Sequence, residues 1–183
     1  MELLRLQKVK DGKYLKNYEL TYLNKKGNEK VYEIVSRNEI PNVESIGNRV
    51  SGVSIVAYCG DRMLLLREFR MGVNHDVYNL CAGMIEEGET VEECISRELY
   101  EETGLSVKRI RTILPPSYAA VGISDTKTYI AIVDAEGEFS DHTSDNEMIQ
   151  AQFYTKEEVE KLLETEEFSS RSQIIAYFFV QGF

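Results

Sequence analysis

At 183 residues with a formal net charge of −10, the chain has the length of one ordinary domain with room for a small appendage. Its acidic surplus argues against binding of a nucleic acid backbone, which requires arrays of lysine and arginine. Three cysteines in apolar or mixed segments argue against a disulfide framework or a zinc site. The charged start and the absence of an apolar run of about 18 residues predict a cytoplasmic protein that does not enter a membrane.

The predicted elements fall into two regions. Residues 1–48 predict a small β-rich module with strands over 16–22 and 29–36 around a turn signal. Residues 49–183 alternate strands with helices, which predicts a mixed sheet with helices on its faces. The strands predicted there span residues 50–59, 63–69, 78–82, 107–114, 128–134 and 149–154, and the helices span 91–103, 156–164 and the residues from 170 onward. The segments 115–127 and 137–146 are predicted to be loops.

Residues 83–105 contain eight glutamates within 23 residues. Thr90 followed by Glu93 forms the pattern of a capping box, and Gly104 stands where a left-handed C-terminal cap belongs, so the helix over 91–103 has defined ends. Like charges on one helix repel by about 0.2–0.5 kcal/mol per neighbouring pair. The segment therefore requires a reason for its many carboxylates.

The helical angle of each glutamate separates solvated carboxylates from inward-facing ones. At 100° per residue, with Glu98 at zero, the apolar Val91, Ile95 and Leu99 lie at about 20°, 60° and 100°. Glu102 lies within that apolar stripe at about 40°, and Glu98 lies on its border. Buried carboxylates are normally relieved by pairing or by metal coordination. Two of them one turn apart predict a site for a hard cation with oxygen ligands, Mg²⁺ or Mn²⁺.

The segment resembles the Nudix box, G-x5-E-x7-R-E-U-x-E-E-x-G-U, where U is apolar. The matching residues are Gly83, Glu89, Arg97, Glu98, Leu99, Glu101, Glu102, Gly104 and Leu105. The resemblance implies the Nudix α/β/α sandwich and Mg²⁺-dependent hydrolysis of a nucleoside diphosphate linked to another group, with two or three ions. It further implies that Glu98, Glu101, Glu102 and the carbonyl oxygen of Ala82 are metal ligands, that Glu89 supports the helix or the metal shell, and that Arg97 orients a neighbouring glutamate.

Further resemblance points to the ADP-ribose pyrophosphatase branch of the family. Glu68-Phe69-Arg70 and the stretch over 78–83 are similar to that branch's Gln-Phe-Arg and Trp-Glu-Leu-Pro-Ala-Gly. The resemblance implies a homodimer that exchanges N-terminal strands, and it makes Arg70 and Arg37 candidates for contacts with base, ribose or phosphate. A surface ion pair is the alternative for each arginine.

The loop over 119–125 aligns with the branch's substrate-specificity loop, which makes Gly122 and the adjoining Tyr118 candidate substrate contacts. Val121 and Thr126 replace the proline and glutamate that are usual there. Residues 144–147 resemble a mobile acidic loop that supplies the general base or a further metal ligand, with Glu147 the first candidate and Asp145 the second. A solvated acidic turn is the alternative interpretation of that stretch.

These observations predict hydrolysis of a nucleoside diphosphate-sugar, with ADP-ribose first, cleaved to AMP and ribose 5-phosphate. A UDP-sugar or other dinucleotide substrate stays open because of Val121 and Thr126. A transcription-regulating sensor would require a DNA-binding appendage, which neither the acidic body nor the strand-like N-terminus offers. A binding-only module would be expected to have lost a residue of the box, and none is lost. The predicted partner is therefore a small nucleotide-sugar and not a nucleic acid.

Overall fold

The computed structural model describes residues 1–140, 142 and 147–182. Within these residues the chain forms two compact units. The N-terminal unit comprises residues 1–51 and 116–129, and the larger unit comprises residues 52–115 and the described residues from 130 onward. The division predicted between residues 48 and 49 stays a prediction. No helix of the described chain combines the length and apolar character needed to cross a bilayer.

The N-terminal unit contains a three-stranded antiparallel sheet of β1 (Glu2–Asp11), β2 (Lys16–Leu23) and β3 (Glu29–Ser36), in that order. Tyr18, Leu20, Ile34 and Ile40 form its core, and the Tyr18 hydroxyl accepts a hydrogen bond from the backbone N–H of Ile40 at 2.9 Å. The two strands expected here are present. β1 was not predicted, because its register with β2 shifts twice and its apolar residues do not alternate regularly.

The larger sheet has seven strands. Five follow the order β10-β5-β4-β9-β8, while β6 pairs with β5 and β7 pairs with β4. A single-turn 3₁₀ helix, Val43–Ser45, precedes this sheet. The strands are β4 (Val50–Cys59), β5 (Arg62–Arg70), β6 (His75–Asn79), β7 (Cys81–Met84), β8 (Ser106–Tyr118), β9 (Lys127–Glu136) and β10 (Ile149–Tyr154), and the helices are α1 (Val91–Thr103), α2 (Lys156–Thr165) and α3 (Ser170–Gln181).

Helices cover both faces of the larger sheet. Four consecutive residues of β5, Met63 to Leu66, are almost wholly buried, and because successive side chains of a strand point to opposite faces, each face must be covered. Met63 and Leu65 join one core cluster with Val159 of α2 and Phe179 of α3. Helix α1 packs against β7 and β10. The predicted α/β/α sandwich with a mixed sheet is confirmed.

The strand predicted over residues 78–82 is divided in the structure. Leu80 lies between β6 and β7 and is buried, and its backbone N–H donates to the Asn79 side chain and to the Ser172 hydroxyl, each at 3.0 Å. The chain thereby leaves β5 and joins β4. The sequence shows one short apolar run here, and such a run does not report a change of partner strand.

The loop predicted from residue 115 is also wrong at its start. β8 continues through Pro115 and Pro116 and ends at Tyr118. β8 ends the order of paired strands, and a strand at a sheet edge tolerates proline because one side of it needs no backbone donor. A proline pair therefore does not end a strand at this position.

Helix α1 has the predicted ends, and its capping box provides a stability test. Thr90 accepts from the backbone N–H of Glu93 while the Glu93 carboxylate accepts from the backbone N–H of Thr90, and Gly104 is left-handed at φ 77°. Thr155 forms the same box on α2. We expect Thr90→Ala and Thr155→Ala each to lower the free energy of unfolding by about 1 kcal/mol. Urea denaturation checks this, and an unchanged unfolding midpoint in either variant would contradict it.

Candidate active site

Helix α1 carries the two carboxylates that the angular argument directed inward. Glu98 is buried at 9% exposure and Glu102 is partly buried, whereas Glu92 and Glu101 are exposed. The Glu102 carboxylate accepts a hydrogen bond from the backbone N–H of Ala82 in β7 at 3.1 Å. The Glu102 carboxylate therefore links helix α1 to strand β7.

Gly83 makes room for the Glu98 side chain. A Cβ atom built at Gly83 would lie 1.7 Å from Cδ of Glu98 and 1.8 Å from its Oε1. The backbone of Gly83 is not left-handed. Glycine is required here for space, because any larger residue would occupy the position of the carboxylate.

Arg97 connects the glutamates of the segment. Its Nε donates to Glu89 at 2.7 Å, and its Nη1 donates to Glu98 at 2.9 Å and to Glu101 at 3.0 Å. Its Nη2 donates to the carbonyl oxygen of Met84 at 2.9 Å. One guanidinium thus fixes three carboxylates and the end of β7, which agrees with an orienting role.

Burial and pairing shift the pKa values of these acids in opposite directions. Burial raises the pKa of Glu102 to about 8, and burial also raises the pKa of Glu98, although the Arg97 guanidinium opposes that shift. Hydrogen bonds from Arg97 hold the pKa of Glu89 at about 2. Glu102 is therefore short of positive charge, whereas Arg97 compensates Glu98 in part and Glu89 strongly.

A cleft of about 320 Å³ opens beside the Glu102 carboxylate. Ala82, Glu102, Arg70 and the exposed Glu147 line it, so the structure brings these four predicted residues together. Asp145, the second candidate for the general base, lies outside the described residues.

Glu68 also lines the cleft, and the sequence reasoning assigned it no role. It is 7% exposed, and its carboxylate pairs with Arg70. The sequence did contain a signal for Glu68. Leu66 and Glu68 are two residues apart in a strand, so their side chains point to the same face, and the apolar Leu66 marks that face as buried. A carboxylate at the next inward position of a strand indicates a functional or paired acid.

The family model for the NUDIX domain matches residues 48–178. The chain belongs to the Nudix family. A protein named NAD-capped RNA hydrolase NudC, from Mycobacterium tuberculosis, is 30% identical over 152 residues, which cover 80% of this chain and 44% of that protein. A putative nudix hydrolase 2 from Caenorhabditis elegans is 27% identical over 138 residues, which cover 75% of this chain and 61% of that protein.

A solved structure described as an ADP compounds hydrolase resembles this Nudix protein over nearly its whole length. The TM-score is 0.74 at 25% identity, and the match covers 98% of this chain and 91% of the other. The chain spans about half the length of the curated relatives that it matches. The comparisons therefore show the Nudix family and its fold.

The acids of this Nudix domain fit a divalent cation by their chemistry. Among the residues described, no three acidic, histidine or cysteine side chains are gathered closely enough to hold a metal in the present arrangement. Two of the predicted ligands, Glu98 and Glu101, instead pair with Arg97. The carboxylate oxygens, with the space that Gly83 leaves for the Glu98 side chain, suit Mg²⁺. Burial raises the pKa of Glu102, so a cation would stabilise the ionised form of this carboxylate. An ion at this position would compete with Arg97 for two of the predicted ligands.

The remaining predicted substrate contacts lie in the N-terminal unit. Tyr118 lines a mainly apolar cleft of about 270 Å³ together with Tyr22 and Tyr32. The carbonyl oxygen of Gly122 accepts a hydrogen bond from the Tyr32 hydroxyl at 2.5 Å, and Arg37 is exposed directly after β3. Their roles in substrate binding stay predictions.

The titration of Glu102 predicts how the stability of the metal-free protein depends on pH. Its pKa of about 8 in the folded protein exceeds the ordinary value of 4.5, so the folded state retains the proton more strongly. This stabilisation is fully present below pH 4.5 and is lost as the pH rises through 8. The depressed pKa of Glu89 acts in the opposite sense, but only below 4.5.

We expect the Tm in the presence of a chelator to fall by roughly 5 °C between pH 5.5 and 8.5. Mg²⁺ should raise the Tm more at pH 8 than at pH 6, because the ion binds the ionised carboxylates. Thermal unfolding of the wild type and of Glu102→Gln checks both expectations. Equal pH slopes in the two proteins would show that Glu102 is not the group responsible.

Proposed function

We propose that the protein hydrolyses the pyrophosphate bond of nucleoside diphosphate-linked compounds in a Mg²⁺-dependent reaction, with ADP-ribose as the first substrate and AMP and ribose 5-phosphate as products. The observation that carries this proposal is the pair of inward carboxylates on helix α1. The Glu98 carboxylate lies against Gly83, and the Glu102 carboxylate accepts a hydrogen bond from the backbone N–H of Ala82. Glu102 has little cationic compensation beside the cleft, and an acid of this kind is suited to a cation that accompanies an anionic substrate.

Each residue of the site has a separate role in this proposal. Glu98, Glu101, Glu102 and the Ala82 carbonyl would hold two or three Mg²⁺ or Mn²⁺ ions, which when bound neutralise the diphosphate and lower the pKa of water. Arg97 keeps the carboxylates in position. Glu147 is the candidate base that takes the proton from the attacking water, because it lines the same cleft. Arg70, at the cleft, supplies positive charge for a phosphate group.

The proposed substrate class follows from two kinds of likeness. The solved structure with TM-score 0.74 is described as an ADP compounds hydrolase, which favours a substrate with an ADP moiety. The resemblance over residues 68–83 favours ADP-ribose within that class. Val121 and Thr126 depart from the ADP-ribose pattern, so UDP-sugars and dinucleotides are the alternatives.

A substrate panel tests this proposal. Purified protein with Mg²⁺ is incubated with ADP-ribose, UDP-glucose, GDP-mannose, NADH and diadenosine polyphosphates, and products are separated by ion-exchange chromatography. We expect ADP-ribose to give AMP and ribose 5-phosphate with the highest kcat/KM, and chelation to stop the reaction. Turnover of another compound with ADP-ribose inert would redirect the assignment, and no turnover of any would reject it.

NAD-capped RNA is a second candidate because of the NudC relative at 30% identity. The net charge of −10 disfavours a polyanionic RNA, whose binding depends on lysine and arginine contacts. Capped RNA and free NAD⁺ compared at equal concentration separate the two possibilities. We expect free dinucleotide to be preferred, and preferential decapping would favour the RNA substrate.

The predicted cytoplasmic homodimer is part of the same proposal. Sedimentation equilibrium gives the oligomeric state directly, and a mass near twice 21.0 kDa is expected.

A further inference from the structure

Glu68 is a buried carboxylate for which the proposed reaction has no role so far. Its side chain is 9% exposed, whereas the side chain of its partner Arg70 is 57% exposed. Nη1 of Arg70 donates to Oε1 of Glu68. The acid therefore lies inside the fold and the guanidinium lies at the surface of the cleft.

A chain of hydrogen bonds fixes the position of Glu68. Its second oxygen, Oε2, accepts from Nδ2 of Asn79 at 3.3 Å. The Asn79 Oδ1 in turn accepts from the hydroxyls of Ser169 and Ser172, each at 2.8 Å. Ser172 is fully buried in the first turn of α3. The carboxylate is thus held by two strands and a helix, and Arg70 is held by the carboxylate.

Anchoring of this kind affects how an arginine binds an anion. A guanidinium has five N–H donors, and the contact with Glu68 uses Nη1. An arginine side chain that is already ordered loses less conformational freedom when a ligand binds. Arg70 lines the same cleft as Ala82 and Glu102. Without an internal anchor, a side chain as exposed as Arg70 would populate solvent-directed rotamers.

We propose that Glu68 is a positioning residue that holds the Arg70 guanidinium at the cleft to receive the diphosphate of the substrate. This inference rests on the proposed function. Glu68 acts through Arg70, and Asn79 completes the arrangement by fixing the carboxylate.

A double-mutant cycle of Glu68→Gln and Arg70→Ala tests the inference. We expect Glu68→Gln to raise the KM for ADP-ribose about tenfold with kcat within about twofold, because an interaction used equally in ground and transition states is weakened. Arg70→Ala should raise KM further, and the double variant should be no worse than Arg70→Ala. Additive effects on KM would show that Glu68 acts independently of Arg70 and would overturn the inference.

A binding measurement separates this inference from the proposed function. Calorimetry with α,β-methylene ADP and Mg²⁺ reports binding without hydrolysis, and the same non-additive pattern is expected in Kd. Non-additive binding in a protein that hydrolyses nothing supports the positioning role and rejects the activity. Hydrolysis with no coupling between the two residues supports the activity and overturns the positioning role. A wild type that neither binds the analogue nor turns over a diphosphate overturns both.

A swapped pair guards against misfolding of Glu68→Gln. In Glu68→Gln/Asn79→Asp the amide and the carboxylate exchange places across the same hydrogen bond, and the acid at 79 still accepts from both serines. We expect this variant to fold with a Tm near that of the wild type but to bind no better than Glu68→Gln, because the negative charge now lies at residue 79 and not against Nη1 of Arg70. Wild-type affinity in the swapped variant would show that Arg70 does not need a carboxylate at residue 68 and would overturn the inference.

Discussion

Glu102→Gln is expected to lower Mg²⁺-dependent turnover by at least about 100-fold while the protein remains folded. Glutamine keeps the shape and an oxygen that can accept from the Ala82 N–H, but it cannot carry negative charge. Burial already raises the pKa of Glu102 to about 8, so the neutral amide removes an acid that is costly to ionise. The Tm of the metal-free variant at pH 8 should therefore equal or exceed that of the wild type.

The comparison uses kcat with saturating ADP-ribose, titration with Mg²⁺, and thermal unfolding. Glu92→Gln is the matched control, because Glu92 is on the same helix and is exposed. It should leave turnover within about twofold of the wild type, since surface substitutions have small effects. A near-normal rate in Glu102→Gln would show that Glu102 is not a metal ligand required for turnover.

Gly83→Ala is expected to reduce turnover by about 100-fold or more and to lower the free energy of unfolding by about 1–3 kcal/mol. The new methyl carbon would lie 1.7 Å from the carboxyl carbon of Glu98, which is too close for two atoms that are not bonded. Glu98 must then move, and Arg97, which binds both Glu98 and Glu89, must follow or lose a partner. The substitution therefore displaces a carboxylate without changing any charged residue.

Glu98→Asp in the Gly83→Ala background provides the decisive comparison. The shorter aspartate draws the carboxylate back, so stability should recover in part while turnover stays low. Gly52→Ala is the matched control, because its methyl group would lie 2.1 Å from the backbone carbonyl oxygen of Gly83 and not against a side chain. Glu98→Asp should not rescue that variant. Wild-type stability and rate in Gly83→Ala would show that Glu98 is not held against this glycine.

The parts of the fold that depend on neighbouring residues in the chain were predictable from sequence. Helix α1 begins after Thr90 and ends at Gly104 because a capping box and a left-handed cap act over a few residues. The inward direction of Glu98 follows from helical geometry in the same way. Local sequence patterns therefore predicted the bounds of helix α1 and the inward direction of Glu98 and Glu102.

The missed features depend on contacts between distant segments. Asn79 and Ser172 meet across 93 residues of sequence, and their contact accompanies the change of partner strand at Leu80. The pairing of Glu68 with Arg70 places an acid in the cleft that a local pattern marks only weakly. β1 depends on β2 for its hydrogen bonds and has little alternation of its own. Such features need the folded arrangement before they can be recognised.

Pro115 and Pro116 have a further consequence beyond extending β8. The outer side of a terminal strand normally offers unsatisfied N–H groups to which a strand of another molecule can add, which is a route to aggregation. Proline has no such group. Because successive N–H groups of a strand point to opposite sides, one of the two prolines removes a donor from the outer side of β8, which makes that edge less able to pair with a strand of another molecule.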